Sequence, residues 1–236
     1  MIVYAESDEA QGTLDWQRAR LGKITGSKCG DLMVKGRAKD EIFGATARDY
    51  LYDLASQRCM NPMILESDEE FQKYLDAEVE INSKAIRLGH EREPQARDFF
   101  SNLYDVEVFE VVSCQHDEIE GFAASPDGVV IEDGRPTAVV EIKSTGMKNF
   151  FKYKVEVKDA EGLKKANSTY YWQVMAEMMC TGLRKAYFIV YNPYQKEPLH
   201  VVEIERNDAD CDLLAERIRL ANEYINNMID EIISPT

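Results

Sequence analysis

The 236-residue chain has few of the residues that staple or metallate a fold. Its five cysteines, Cys29, Cys59, Cys114, Cys180 and Cys211, are odd in number, widely spaced and without a C-x-x-C pair. That pattern speaks against a disulfide framework and against a thiolate zinc or iron–sulfur centre, so reduced thiols are expected. Histidine is scarcer: His90, His116 and His200 have no i, i+4 partner, and the three read as ordinary side chains rather than metal ligands. No apolar run approaches the roughly 18 residues a membrane helix requires. The opening residues MIVYAESDEA lack the basic-then-apolar order of a secretory signal, so a soluble cytoplasmic protein with no membrane partner is expected. No stretch is rich enough in Pro, Gly or Ser to be a linker and no internal repeat occurs, so residues 1–236 read as one domain.

Basic charge is also in deficit. There are 28 Lys and Arg against 43 Asp and Glu, a formal net charge of −15 at pH 7, while 44% hydrophobic residues suffice for a sizeable core. The deficit argues against a nucleic-acid partner, whose phosphates are neutralised by Lys and Arg. Its distribution is uneven, however: residues 141–185 hold nine basic side chains against five acidic ones, a local +4 that leaves −19 elsewhere. Such a cluster is ordinarily a solvated helical face, and only adjacent chemistry gives it another meaning. Seven carboxylates crowd between Glu66 and Glu80, which predicts a solvent-facing helix from Asp68 towards Leu88, or a mobile loop.

The patterning predicts the following elements. Thr13 to Met33 reads as a loop followed by a helix capped by Ser27. Helical spacing runs from Ile42 to Arg58, and Pro94 either kinks a helix or starts one that continues through Phe99, Phe100 and Tyr104. Val106–Val112, Phe122–Ala124, Gly128–Ile131 and Ala138–Ile142 are short, β-branched runs expected to form successive strands of an antiparallel meander. A helix at Tyr170–Cys180, strands at Ala186–Tyr191 and His200–Ile204 and a last helix from Cys211 to Ile233 follow. The order predicts an α/β fold with a mixed central sheet flanked by helices.

Four side chains stand out within that frame. On a strand, Glu141 and Lys143 point to one face while Ile142 turns into the core. If Asp127 ends the preceding strand of a hairpin, its carboxylate meets that of Glu141, and two carboxylates with a main-chain carbonyl suit Mg²⁺. Glu93 stands upstream at the helix discontinuity. Each piece alone has a bland reading: Asp127-Gly128 as a turn, Glu141 and Lys143 as an exposed ion pair, Glu93 as a helix-end carboxylate. Together, Pro-Asp, a step of fourteen positions from Asp127 to Glu141, then Glu-x-Lys on an apolar strand form a far more specific pattern.

That constellation resembles the PD-(D/E)xK nuclease signature, in the branch of the lambda exonuclease and YqaJ-type phage exonucleases. The likeness extends through Trp16-x-x-x-Arg20-Leu21-Gly22-x-Ile24-Thr25-x-Ser27, Gly89-x-x-x-Glu93-x-x-Ala96-Arg97, Ser125-Pro126-Asp127-Gly128, Glu141-Ile142-Lys143, Gln173 and Tyr191-Asn192-Pro193, in the family's order. Where related nucleases often have Tyr four residues after the glutamine, this sequence has Glu177.

The resemblance implies a restriction-endonuclease-like core and a single exonuclease domain. It further implies that Asp127, Glu141 and the carbonyl of Ile142 hold Mg²⁺, with Glu93 completing a two-ion site in which Mn²⁺ can substitute. By the same token Lys143 positions the attacking water, Gln173 assists, and Arg20, Ser27 and Ser125 bind a terminal 5′-phosphate. Lys148 and Lys152 of the basic segment are the expected contacts to the DNA backbone. The implied activity is 5′→3′ digestion of one strand of linear duplex DNA to mononucleotides by a phage or prophage protein in a bacterial cytoplasm. A homotrimeric ring and a single-strand annealing partner come with the family. The competing readings are an endonuclease of the same fold and a non-catalytic acidic protein that imitates DNA or binds a basic partner, favoured by the −15 charge.

Overall fold

The computed structural model describes residues 2–4, 12–78 and 84–233. The first half carries β1 (Ile2–Tyr4), α1 (Leu14–Arg20), β2 (Ile24–Thr25), α2 (Cys29–Leu32), α3 (Ala45–Arg58), α4 (Pro62–Glu66), α5 (Asp68–Glu78) and α6 (Lys84–Tyr104). Then come β3 (Glu107–Phe109), β4 (Val111–Gln115), β5 (Phe122–Ala124), β6 (Gly128–Glu132) and β7 (Arg135–Ser144). The last part holds α7 (Met147–Glu156), α8 (Ala160–Ala166), α9 (Ser168–Thr181), β8 (Lys185–Tyr191), β9 (Leu199–Glu205) and α10 (Asp208–Ile233).

The central sheet has the order β3-β6-β7-β8-β9 and is mixed, because β7 and β8 run parallel while their neighbours pair antiparallel. A parallel pair needs a crossover, which α7, α8 and α9 supply. The mixed sheet flanked by helices is therefore as the sequence predicts. The single meander is not. The chain breaks at Glu110, sending β3 to β6 in the central sheet and β4 to β1 and β5 in a second sheet of order β1-β4-β5-β2. Runs of alternating residues encode a strand but not its partner, so the split is invisible to periodicity.

Alternation along the central strands makes two buried faces. Val130, Ala138, Val140, Ile142 and Ile189 pack with Ala96 and Phe100 of α6. Val129, Val139, Phe188 and Val190 join the larger core around α9 on the opposite face. α9 is buried from Tyr171 to Cys180 without interruption, as a helix apolar nearly all round must be. Its start is fixed by Asn167, whose Oδ1 accepts from the Tyr170 N–H at 3.2 Å, and its end by Gly182 in the left-handed region.

Further expectations need correction. The segment Thr13–Met33 opens with the helix α1, capped by Thr13 Oγ1 accepting from the Trp16 N–H at 3.2 Å, and not with a loop. Ser27 caps nothing: it lies exposed in the 3₁₀ turn Gly26–Lys28, with α2 following after Lys28. α10 starts at Asp208, three residues before Cys211, because the side chain of Asn207 accepts from the Asp210 N–H at 3.1 Å. Pro94 lies inside α6, where it has no N–H to give the preceding turn, yet the helix continues through it. The acidic stretch is a docked helix: Phe71 and Leu75 of α5 are buried, and Arg18 lies over the Phe71 ring at 4.8 Å. Residues 79–83 of that stretch lie outside the described residues, and Leu88 belongs to α6. Among the described residues no helix is long and apolar enough to cross a membrane.

Candidate active site

The β6–β7 hairpin sets the geometry. It closes at Asp133 and Gly134, whose φ angles of 50° and 72° suit the two-residue hairpin turn that Asp-Gly adopts with little strain. From that turn the register runs back, with a one-residue shift between Val130 and Ile131, to Gly128 opposite Val140, so the next pair at the open end is Asp127 and Glu141. Asp127 thus precedes the first strand of the hairpin rather than ending it, and the two carboxylates still face each other. Gly128 is required there, since a Cβ would fall 2.7 Å from Val108 Cγ1 of the neighbouring β3.

Glu141 and Lys143 project from the α9 side of the sheet, and Ile142 is buried against α6. Lys143 Nζ lies 2.5 Å from Glu141 Oε1 and 4.8 Å from the Tyr170 ring centroid. The Asp127 carboxylate accepts from the Ile142 N–H at 2.6 Å, which ties the carboxylate to the main chain of β7. Across the pocket, the Gln173 amide on α9 donates to Glu141 Oε1 at 2.7 Å and to Glu177 Oε1 at 2.9 Å. Glu93 arrives from α6, which the Ala96 and Phe100 contacts hold against the other face of β7.

These side chains line one cavity of about 140 Å³. Glu93, Asp127, Glu141, Lys143 and Gln173 all reach it, and so do Arg20, Ser27 and Ser125. Arg20 donates to Ser125 Oγ at 3.1 Å and lies 4.3 Å over the Trp16 ring, with no carboxylate partner among the described residues. Lys148 and Lys152 are not brought to the cavity. Both are exposed on α7, where Lys152 stands 3.8 Å from Glu156. Sequence reasoning gave no role to Trp16, Tyr170 or Glu177. The signal for Tyr170 was its i, i+3 spacing to Gln173 on one helix face, and for Glu177 its i, i+4 spacing.

The electrostatics are those of carboxylates crowded away from water. Burial, then the charges of Glu141 and Glu93, push the Asp127 carboxyl well above its usual range. Burial and the neighbouring Glu141 do the same to Glu177. Burial alone would lower the Lys143 ammonium, but the charges of Glu141 and Asp127 outweigh it and hold the group above its ordinary value.

The donor set fits a hard divalent cation. Glu141 is almost fully buried, its Oε1 is taken by Lys143 and Gln173, and its carboxylate also stands within hydrogen-bonding reach of the Glu177 carboxyl. Among the described residues no three His, Cys, Asp or Glu side chains are already gathered as a ligand cage. Mg²⁺ does not need one, since it keeps several waters and takes only one or two carboxylates with substrate phosphate.

The sequence profile of the YqaJ-like viral recombinase domain matches residues 15–184. An alkaline exonuclease from Laribacter hongkongensis superposes with a TM-score of 0.71 at 25% identity, over 93% of this chain and 96% of that one. The same enzyme in complex with dAMP gives 0.72 at 26% identity, with the same shares covered. A phage-related exonuclease from Haemophilus somnus 129PT shares the fold, with a TM-score of 0.61 at 15% identity over 91% and 98% of the two chains. No curated protein sequence matches the chain.

Proposed function

The chain belongs to the YqaJ-like viral recombinase domain family, and from that premise we propose that it is an Mg²⁺-dependent exonuclease that degrades one strand of linear duplex DNA from 5′ to 3′. The observation that carries the reading is the convergence of Glu93, Asp127, Glu141 and Lys143 on one cavity shared with Arg20, Ser27 and Ser125.

In this reading Asp127, Glu141 and the Ile142 carbonyl hold the cation, with Glu93 serving a second ion. Bound there, divalent ions supply Lewis acidity for charge on the attacking and leaving oxygens and lower the pKa of a water. The protein does the rest. Lys143, held by its contact with Glu141, donates to the attacking water or the scissile phosphate and fixes its approach. Gln173 keeps Glu141 in place. The guanidinium of Arg20 and the hydroxyls of Ser27 and Ser125 grip the terminal 5′-phosphate, which selects ends and sets polarity. The 3′ single strand left behind is the substrate of a single-strand annealing protein, and a ring of three copies would retain the duplex between turnovers. The site of action is the bacterial cytoplasm.

The test is a time course on end-labelled linear duplex and covalently closed circles, with Mg²⁺ and with chelator. Label from 5′ ends should appear as mononucleotide, circles should stay intact, and chelation should stop the reaction. Lys143→Ala and Asp127→Ala should each lose roughly 10²-fold or more in rate with the fold preserved. Cleavage of closed circles would replace the exonuclease by an endonuclease, and rates indifferent to both variants would remove the assigned site.

A further inference from the structure

We propose that Glu177 is a positioning residue that, through the amide of Gln173, holds the Glu141 carboxylate in the orientation the cation requires; this rests on the metal-dependent reading above. Gln173 and Glu177 lie one turn apart on α9, both buried. The two amide hydrogens of Gln173 are both committed, one to Glu141 Oε1 at 2.7 Å and one to Glu177 Oε1 at 2.9 Å. Lys143 takes the same Glu141 Oε1 at 2.5 Å. Glu141 Oε1 is thereby saturated by protein donors, and the Glu177 carboxyl itself stands within hydrogen-bonding reach of the Glu141 carboxylate.

Glu177 is the second anchor of the amide. Without an acceptor there, the free N–H of Gln173 would sit in a pocket largely closed to water. The amide could then turn away from Glu141 Oε1, and the carboxylate would lose its fixed orientation. Core packing does not explain the residue. Its helical neighbours Val174, Met175, Ala176 and Met178 are apolar and fully buried, and Glu177 Oε2 is itself buried without a donor. An apolar side chain of similar length would occupy the place at lower cost. The carboxylate is accounted for by what its other oxygen holds.

The test measures Mg²⁺ binding to the metal-free protein by calorimetry, alongside the kcat and KM of cleavage. Glu177→Met keeps the volume and removes the acceptor, and it should weaken Mg²⁺ binding roughly 10-fold or more, the usual effect of losing a group that orients a metal ligand. It should lower kcat at fixed Mg²⁺ and leave the KM for DNA ends unchanged. Glu177→Gln retains a carbonyl acceptor and should bind Mg²⁺ as the parent does. Gln173→Met should reproduce the Glu177→Met loss, carry the test if Glu177→Met does not fold, and show no further loss when combined with it. Parent-like Mg²⁺ affinity in Glu177→Met overturns the proposal. So does equal weakening in Glu177→Gln, which would assign the effect to charge. A parent protein that neither binds Mg²⁺ nor cuts DNA would instead overturn the functional reading itself.

Discussion

Arg20 carries a charge that no carboxylate among the described residues neutralises, yet it is held in place by Ser125 Oγ at 3.1 Å and by the face of Trp16 at 4.3 Å. Burial lowers its pKa, but a guanidinium starts so high that it stays charged. A guanidinium held beside two hydroxyls offers donors suited to an anion. Arg20→Ala should therefore cut the preference for 5′-phosphorylated over 5′-hydroxyl ends by about 10-fold or more, the worth of a hydrogen bond to a charged group. The check is the ratio of initial rates on the two kinds of end, and an intact ratio would take Arg20 out of phosphate recognition. Arg20→Lys should recover only part of it, because an ammonium lacks the planar fork. At this scale the sequence was highly legible. Asp127, Glu141 and Lys143 sit on or beside two strands of one hairpin, so alternation puts Glu141 and Lys143 on one face, but it takes the register shift between Val130 and Ile131 to set Asp127 opposite Glu141 rather than Val140. Arg20 and Glu93 come from distant helices; Pro94 marked Glu93 in the sequence without showing where it would point, and only the family pattern pointed to Arg20.

α7 is the element that follows Lys143 directly, and it carries Lys148 and Lys152 outside the cavity. Their exposure favours a long-range role, since an exposed pair such as Lys152 with Glu156 at 3.8 Å contributes little to stability. Every DNA phosphate that a lysine ceases to neutralise reduces the slope of log affinity against log salt by about 0.9. Replacing both lysines by Ala should thus flatten the slope by about two such steps with little change in melting temperature. Binding measured over a salt series decides it, and an unaltered slope returns the pair to the solvated face. α9 shows the limit of element-level reading. Its helical period is plain in the sequence, but whether Glu177 points into solvent or into the site depends on a helix buried on every side, which only the surrounding sheets and α2, α8 and α10 create.

Across the whole molecule, Arg217 of α10 joins segments far apart in the chain. Its Nε and Nη2 donate to the Leu32 carbonyl at 2.8 and 2.6 Å, Nη2 also reaches the Ile42 carbonyl at 2.8 Å, and the guanidinium lies 4.4 Å over Phe43. Arg217→Leu would strand the buried Leu32 carbonyl, so urea unfolding should show a loss of about 1–3 kcal/mol. A midpoint equal to the parent's would show that water reaches that carbonyl. That clamp bridges residues 175 and 185 positions apart and leaves no periodic trace. The same distinction runs through the protein. The hairpin chemistry, the mixed α/β order and the helix that carries Gln173 are written in the chain itself, because turn residues, side-chain alternation and helical period act over a few neighbours. Packing alone divides the strands at Glu110 between two sheets, brings Glu93 and Arg20 to the hairpin, and makes Glu177 share Gln173 with Glu141. Those outcomes depend on which buried faces find each other, and that is a property of the packed whole rather than of any stretch of chain.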